Sequence, residues 1–223
     1  MLVLVIDTAT AAVTAGLTWV DSGGVEVRAE RVTVDARKHG EALSPGIRDC
    51  LDDAGAKPAD LAAVIAGVGP GPFTGLRVGL VTAAALADSL GIPAYGVCTL
   101  DAVASPDGPF LVATDARRRE VYWATYDADG QRVTGPAVDK PATVRAWLDG
   151  QLARPGWAAG AGAQLYADVL RLPVRGSEHP SVGLLAERAA DRVLAGAPSE
   201  PLTPLYLRRP DAVEPAARKT VLT

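Results

Sequence analysis

The stretch "FLVATDARRREVYWATY", from Phe110 to Tyr126, decides the fold because it repeats the order of elements at the start of the chain. Its apolar first part predicts a buried strand, Thr114-Asp115 begins a polar turn, and a second apolar part predicts a returning strand. The stretch from Leu2 to Val20 has the same order, with Asp7-Thr8-Ala9-Thr10 as the turn. The two copies lie about 108 residues apart, which indicates a duplicated α/β unit.

The repeat divides the 223 residues into two tandem halves. Pro106-Asp107-Gly108-Pro109 comes just before the second copy and favours a boundary there, so we predict halves of 1–106 and 107–223. Val25 to Val34 alternates apolar and charged residues and predicts a third strand with one wet face. From about residue 211 the sequence is rich in Pro and Ala, and we expect a mobile tail there.

Composition narrows the class of protein. An apolar content of 48% and a charged content of 22% are typical of a packed soluble chain. With 22 basic and 26 acidic residues the net charge is −4, which gives no overall footprint for nucleic acid or an anionic membrane. The first residues lack the basic start of a signal peptide, and the longest apolar run, Val78 to Ala87, is far too short to span a membrane. We therefore expect a cytoplasmic protein.

A glycine-rich turn precedes a strongly apolar helix in "GVGPGPFTGLRVGLVTAAALADSLG", from Gly67 to Gly91. Leu76 follows Gly75, so the lysine of a Walker A loop is missing. The spacing of Gly69, Gly71 and Gly75 is one residue too wide for a dinucleotide fingerprint. The residues favour a turn that positions the helix through unusual backbone angles, and anion binding at the helix start remains the second interpretation.

This helix carries a ridge of small residues that recur every four positions, and Gly40 to Ala54 predicts an amphipathic helix as its neighbour. A layer of only two helices is thin and would not by itself bury a helix that is apolar on nearly all sides. The pattern therefore leaves two alternatives, an internal core helix and a face completed by a partner subunit. The residues assigned to this candidate partner interface are Leu43, Ile47, Cys50, Leu51, Gly75, Gly79, Ala83 and Ala87.

Catalytic and metal-binding signatures are scarce. The only histidines are His39 and His179, and the sequence has no HExxH, HxxxH or CxxC motif. Asp7 and Asp115 begin equivalent turns and would form a carboxylate pair if they flank a cleft, but aspartates that bond their own turn have the same pattern. The dense basic spot Arg117-Arg118-Arg119 is either a solvated hairpin tip or a contact for phosphate or an acidic partner.

The chain resembles the TsaB family of bacterial tRNA threonylcarbamoyladenosine biosynthesis proteins, also called YeaZ. The matching stretches are VLVIDTAT (3–10), KHGEALSPGI (38–47), GVGPGPFTGLRVGLVTAAALA (67–87), DARRREVYWATY (115–126) and PLYLRRP (204–210). The glycine-rich stretch is shared with the catalytic relative TsaD, whereas DARRREVY in so short a chain is typical of TsaB. The resemblance implies the actin-like ASKHA fold, with two α/β halves that each open with a strand–turn–strand unit.

The resemblance also implies a non-catalytic scaffold that binds and activates TsaD, with the ATPase TsaE joining, so that threonylcarbamoyl reaches the adenosine beside the tRNA anticodon. It implies pairing with TsaD, or with a second copy when alone, through the two helices of the first half. It implies contact with tRNA only through the complex, no catalytic residue and no membrane. The HxxxH metal pair of TsaD-like enzymes is missing here, so their metal chemistry does not carry over.

The scaffold role requires no cofactor, and ATP or ADP binding is left open. The corresponding vestigial nucleotide cleft is assigned to Asp7, Thr8, Gly69, Gly71 and Asp115, and a candidate RNA contact to Arg117, Arg118 and Arg119. The alternative function is an ATP-dependent small-molecule kinase of the same fold that uses Asp7 or Asp115 with magnesium, because a fold alone does not decide a function. Halves of about 108 residues leave a kinase little room for substrate-binding insertions.

Overall fold

The structure, a computed structural model, describes residues 1–208, and the predicted tail lies outside the described residues. The strands and helices of the first half are β1 (Leu2–Asp7), β2 (Ala12–Asp21), β3 (Gly24–Val34), α1 (His39–Asp53), β4 (Leu61–Gly67), α2 (Phe73–Leu90) and β5 (Ala94–Val97). Those of the second half are β6 (Phe110–Asp115), β7 (Val121–Tyr126), β8 (Arg132–Asp139), α3 (Pro141–Asp149), β9 (Trp157–Ala159), α4 (Ala161–Leu165), α5 (Ala167–Leu170) and α6 (Val182–Leu194). Short 3₁₀ turns lie at Pro58–Asp60 and Thr99–Ala102.

The two sheets confirm the internal repeat. Their strand orders are β3-β2-β1-β4-β5 and β8-β7-β6-β9. In each sheet the opening strand pairs antiparallel with the second strand and parallel with the strand that follows the next helix, and the second strand pairs antiparallel with the third. Asp7 and Asp115 therefore end equivalent strands, β1 and β6.

The first sheet is covered on both faces, which explains why β1 is apolar up to its last residue, Asp7, and why β4 has no polar side chain. Side chains alternate between the two faces of a strand. Leu4 and Ile6 of β1 contribute to the core formed with α1 and α2, whereas Val3 and Val5 contribute to the core formed with α6. Helix α2 is the one helix among residues 1–208 whose length and composition fit a membrane span, and its buried residues pack in the first of these cores.

Helix α6 belongs to the second half in sequence and to the first sheet in space. Val182, Leu185 and Ala189 lie in the core with Val3 and Val5. Ser181 is its N-cap, and its side chain accepts a hydrogen bond from the Leu184 N–H at 3.5 Å. The division at residue 106 stays a prediction. The strand topology repeats on the two sides of this residue, but helix α6, which covers one face of the first sheet, comes after it in sequence.

Candidate functional site

The glycine-rich turn between β4 and α2 packs tightly against its own chain. A Cβ at Gly71 would overlap the carbonyl of Ala9. Gly69 has a φ of +94° and exchanges two hydrogen bonds with Thr99, donating from its N–H to the hydroxyl at 3.2 Å and accepting from the Thr99 N–H at 2.8 Å. Only glycine tolerates such a backbone angle and so close an approach at low cost. These contacts support the interpretation that the turn positions α2.

The small-residue ridge of α2 faces strand β1. The Thr8 hydroxyl donates to the Gly75 carbonyl at 2.7 Å and accepts from the Gly79 N–H at 2.9 Å. It therefore bridges two backbone groups that are four residues apart in the helix. A Cβ at Gly79 would overlap the Thr8 hydroxyl oxygen, so the missing side chains let the strand reach the helix backbone.

The residues assigned to a partner interface are instead buried inside the first half. Leu43, Ile47, Cys50 and Leu51 of α1 and Leu76 of α2 lie in one core with the sheet. The ridge residues Gly75, Gly79, Ala83 and Ala87 are buried as well, and Ala83 is 0% exposed. This corrects the expectation that these side chains face a partner, because the chain's own sheet and helix α1 cover them. An interface on the helix pair stays a prediction, and other residues would have to form it.

The outward side of α2 has a small, weakly polar surface. Val81 is its most exposed large apolar residue, at 65%. Ala84, Ala85 and Asp88 are exposed beside it, and Arg77 lies one turn before Val81. We call Arg77, Val81, Ala84, Ala85 and Asp88 the outer face of α2.

Asp7 is buried with both carboxylate oxygens bonded. Oδ1 accepts from the Ala9 N–H at 2.9 Å, and Oδ2 accepts from the Thr99 hydroxyl at 2.6 Å. The space beside Oδ2 exists because residue 67 is glycine, where a Cβ would overlap that oxygen. Burial raises the pKa of Asp7 to about 6, against the opposing effect of the two hydrogen bonds and of His39.

Asp115 occupies the equivalent position in the second half but faces a cleft. Its Oδ1 accepts from the Arg117 N–H at 2.9 Å, and its carboxylate pairs with the Arg117 guanidinium at 3.6 Å. The cleft also includes Thr10, Pro72 and His179 and has a volume of about 20 Å³, which is room for about one water molecule.

The five residues of the predicted nucleotide cleft are thus only partly brought together. Asp7, Thr8, Gly69 and Gly71 surround the junction of β1 with the glycine turn, where their polar groups bond the chain itself. Asp115 lies across the cleft, and Asp7 points to Thr99 rather than toward it. This geometry does not form a carboxylate pair. Whether a nucleotide binds stays a prediction.

The three arginines of the second-half hairpin have an unusual backbone. Arg117, Arg118 and Arg119 have φ values of +62°, +54° and +60°. Left-handed conformations cost a non-glycine residue about 1–2 kcal/mol each and normally occur singly. The turn is closed by the hydrogen bond from the Ala116 N–H to the Glu120 carbonyl at 3.0 Å. All three arginines are exposed, as expected for a hairpin tip.

A groove of about 370 Å³ lies between this turn, the start of α2 and the segment Tyr206–Arg208. Phe73 and Tyr206 stack with ring centroids 5.2 Å apart. The Arg77 guanidinium lies 3.8 Å from the Phe73 ring centroid, and its Nε donates to the Tyr206 hydroxyl at 2.8 Å. Sequence reasoning missed this cluster. The available signals were an aromatic residue at the start of α2 and the aromatic and basic residues of PLYLRRP.

The remaining candidate ligands and nucleophiles have structural surroundings. Among residues 1–208, no three His, Cys, Asp or Glu side chains come together as a metal site. His39 is buried, with Nε2 2.9 Å from the Thr10 carbonyl and Nδ1 3.1 Å from the Ala36 carbonyl. Burial raises the pKa of both the Cys50 and the Cys98 thiol to about 11, so both are neutral thiols at pH 7.

Comparison with known proteins gives the class of this fold. The family model for TsaD, tRNA N6-adenosine threonylcarbamoyltransferase, matches residues 26–173. The solved structure of YeaZ from Pseudomonas aeruginosa superposes with a TM-score of 0.72 at 27% identity and covers 92% of this chain and 99% of that chain. The two mixed sheets are therefore those of the actin-like ASKHA fold, as expected.

Relatives identify the family within this class. An uncharacterised protein of Mycobacterium tuberculosis is 52% identical, over 94% of this chain and 93% of its own length. The tRNA threonylcarbamoyladenosine biosynthesis protein TsaB of Escherichia coli is 36% identical, over 76% of this chain and 75% of its own length. The chain belongs to the TsaB family, whose members are also called YeaZ.

Proposed function

We propose that this chain is a non-catalytic subunit that binds and activates TsaD in tRNA threonylcarbamoyladenosine biosynthesis. Membership of the TsaB family assigns the chain to this biosynthesis. The finer role is supported above all by the surroundings of Asp7. Its two carboxylate oxygens are bonded to Ala9 and Thr99 inside the fold. Asp7 is 1% exposed, so a carboxylate held in this way is not accessible to a magnesium ion or an acceptor beside the fold.

The kinase alternative needs Asp7 or Asp115 beside a bound nucleotide. Asp7 is buried at 1% exposure, and the cleft at Asp115 has a volume of about 20 Å³. Pockets that enclose small-molecule ligands typically measure about 300–1,000 Å³. Neither carboxylate therefore lies in a cleft that would hold a nucleotide, which favours the subunit role over the kinase.

TsaD is the main partner in this proposal, and TsaE joins the pair. A second copy of the chain replaces TsaD when the protein is alone. The outer face of α2 is the surface proposed for this pairing, because its apolar Val81 is 65% exposed while the ridge behind it is buried. Transfer RNA is bound through the complex, since a chain of net charge −4 lacks the cationic surface for strong independent binding. The complex works in the cytoplasm.

Reconstitution tests the proposal. Purified chain, TsaD and TsaE are mixed singly and together with threonylcarbamoyl-AMP and unmodified tRNA, and the modified nucleoside is measured by mass spectrometry. Size-exclusion chromatography reports which of the proteins associate. We expect the chain to co-elute with TsaD, to form no product by itself and to stimulate product formation by TsaD.

Asp7→Asn and Asp115→Asn variants decide between the two functions. Both should stimulate TsaD as the wild type does, since neither carboxylate takes part in the reaction. Phosphoryl transfer by the isolated chain that disappears in either variant would support the kinase instead.

A further inference from the structure

The groove of about 370 Å³ beside α2 combines two kinds of recognition chemistry. One wall carries the stacked rings of Phe73 and Tyr206, which are 44% and 38% exposed. A second part of the lining, the cationic wall, carries Arg117 and Arg118 of the hairpin, and Arg208 lines the groove as well. The described lining residues include these three arginines, of which Arg117 pairs with Asp115 at 3.6 Å and Arg208 pairs with Glu120.

The aromatic wall is held in place rather than loosely exposed. Arg77 lies over the Phe73 ring and donates to the Tyr206 hydroxyl, so the rings and the guanidinium fix one another. A rigid, partly exposed aromatic pair offers a stacking surface whose ordering has already been achieved in the free protein. Nucleic-acid bases stack on such surfaces irrespective of sequence, because every base has a π-face.

The cationic wall is held at the cost of backbone strain. Arg117 and Arg118 both adopt left-handed backbone angles that glycine would adopt freely. Strained backbone of this kind concentrates at functional sites, where the position of the side chain serves binding or catalysis. Two of the three strained arginines of the hairpin, Arg117 and Arg118, line the groove, and Arg119 does not. Arginine presents several N–H donors to phosphate oxygens in a fixed plane.

We propose that this groove binds a nucleotide, with its base against the exposed part of the Phe73–Tyr206 pair and its phosphate at Arg117 and Arg118. A pocket of this volume falls in the range that encloses small ligands. RNA is the expected source of the nucleotide, and that choice rests on the proposed function, which brings the chain next to tRNA. A free nucleotide would present the same chemistry.

The test measures binding to the isolated full chain at about 50 mM salt, where phosphate contacts are weakly screened. One arm uses a fluorescein-labelled single-stranded RNA pentamer followed by anisotropy, and the other uses AMP followed by calorimetry. Phe73→Ala and Tyr206→Ala should each weaken binding by about fivefold or more, the loss expected for one stacked base. The double variant Arg117→Gly with Arg118→Gly should lower the RNA salt slope by about 1.4, at about 0.7 per phosphate contact on a single strand.

Glycine is chosen at the arginine positions because it suits the left-handed turn, so a loss of binding cannot be blamed on an unfolded hairpin. A second exposed aromatic–arginine pair supplies the matched control. The Arg28 guanidinium lies 6.0 Å from the ring centroid of Trp19, which is 40% exposed and stands in the first sheet. Trp19→Ala and Arg28→Ala should leave binding and its salt slope unchanged.

Binding of the RNA that falls in the groove variants and not in the controls supports the proposal with RNA as the source. Binding of AMP with the same pattern supports it with a free nucleotide as the source. No binding of either probe at millimolar protein, or binding that the groove variants leave intact, overturns the proposal. None of these outcomes depends on TsaD, so this proposal and the proposed function fail separately.

Discussion

Asp7 makes the stability of the folded chain depend on pH in a direction opposite to that of most carboxylates. Its pKa rises from 3.8 to about 6 on burial, so the folded state holds the proton more tightly than the unfolded state does. Stability from this group is fully present below pH 3.8 and is lost as the pH rises through about 6. The shift corresponds to about 3 kcal/mol of unfolding free energy.

Asp7→Asn removes this dependence, because the amide cannot ionise; its oxygen replaces one of the two acceptors, and the loss of the other lowers stability by the same amount at every pH. We expect the variant to gain stability relative to the wild type between pH 4 and pH 7, by up to about 3 kcal/mol. Urea unfolding of both proteins at four pH values measures the difference and cancels the titration of all other groups. A constant difference across this range would show that Asp7 has an ordinary pKa.

Gly79 tests the contact between the Thr8 hydroxyl and the backbone of α2. Alanine in place of glycine usually stabilises a helix by about 1 kcal/mol. At Gly79 the new methyl group would overlap the Thr8 oxygen, so we expect Gly79→Ala to destabilise the protein by about 1–3 kcal/mol. Gly40 in α1 is the matched control, because a Cβ there meets nothing within 4 Å.

Thermal or urea unfolding compares the two variants, and Gly40→Ala should leave stability unchanged or slightly raised. A stabilising effect at Gly79 would mean that the strand does not approach the helix as closely as described.

At the scale of the element, helix α2 has one face buried in the core and one exposed face, which is the surface proposed for a partner. Ala83 is 0% exposed, so Ala83→Arg buries an unpaired charge and should unfold the first half. Val81 is 65% exposed two residues earlier, so Val81→Arg should change stability by no more than about 0.5 kcal/mol. If the outer face of α2 binds TsaD, Val81→Arg should nevertheless weaken co-elution with TsaD.

Circular dichroism separates folding from binding for this pair of variants. A folded Ala83→Arg protein would contradict the burial of the ridge. A folded Val81→Arg protein that binds TsaD as the wild type does would move the proposed interface away from the outer face of α2.

The sequence predicted elements better than it predicted what their faces touch. Alternation and apolar runs predicted the repeated hairpins, α1 and α2 to within a few residues, because these signals are local. The ridge of small residues carries no such information, since a strand of the same chain and a partner helix both require small side chains. The partner of Asp7 is Thr99, which lies 92 residues away, and no local pattern joins the two.

The candidate site shows the same contrast between local patterns, which the sequence reveals, and long-range contacts, which it does not. The equivalence of Asp7 and Asp115 was visible as a repeated turn, and the structure confirms that both end an opening strand. The sequence did not show that Asp7 is buried whereas Asp115 faces a cleft, because burial depends on which distant elements pack over each strand end. The Phe73–Tyr206 pair joins the start of α2 in the first half to a segment late in the second half, and neither residue stands out by itself.

At the scale of the whole molecule, the sheet of the first half depends on helix α6 of the second half to bury one of its faces. A chain that ends at residue 106 lacks α6 and exposes Val3, Val5 and Ile65 of the first sheet. We expect such a fragment to show no cooperative thermal transition and no dispersed amide spectrum by NMR. The control is a chain that ends after residue 208, which keeps α6 and should unfold cooperatively. A fragment of residues 1–106 that unfolds cooperatively would establish it as an independent folding unit.

The position of α6 also has a consequence for the order in which the protein is made. About 90 residues separate residue 106 from the end of α6, and translation adds about 5–20 residues per second. The first sheet is therefore complete in sequence about 5–20 seconds before the helix that covers its second face has been synthesised. During that interval a row of valine and isoleucine side chains on the nascent chain lacks the helix that buries it, and exposed apolar surface of this kind promotes aggregation.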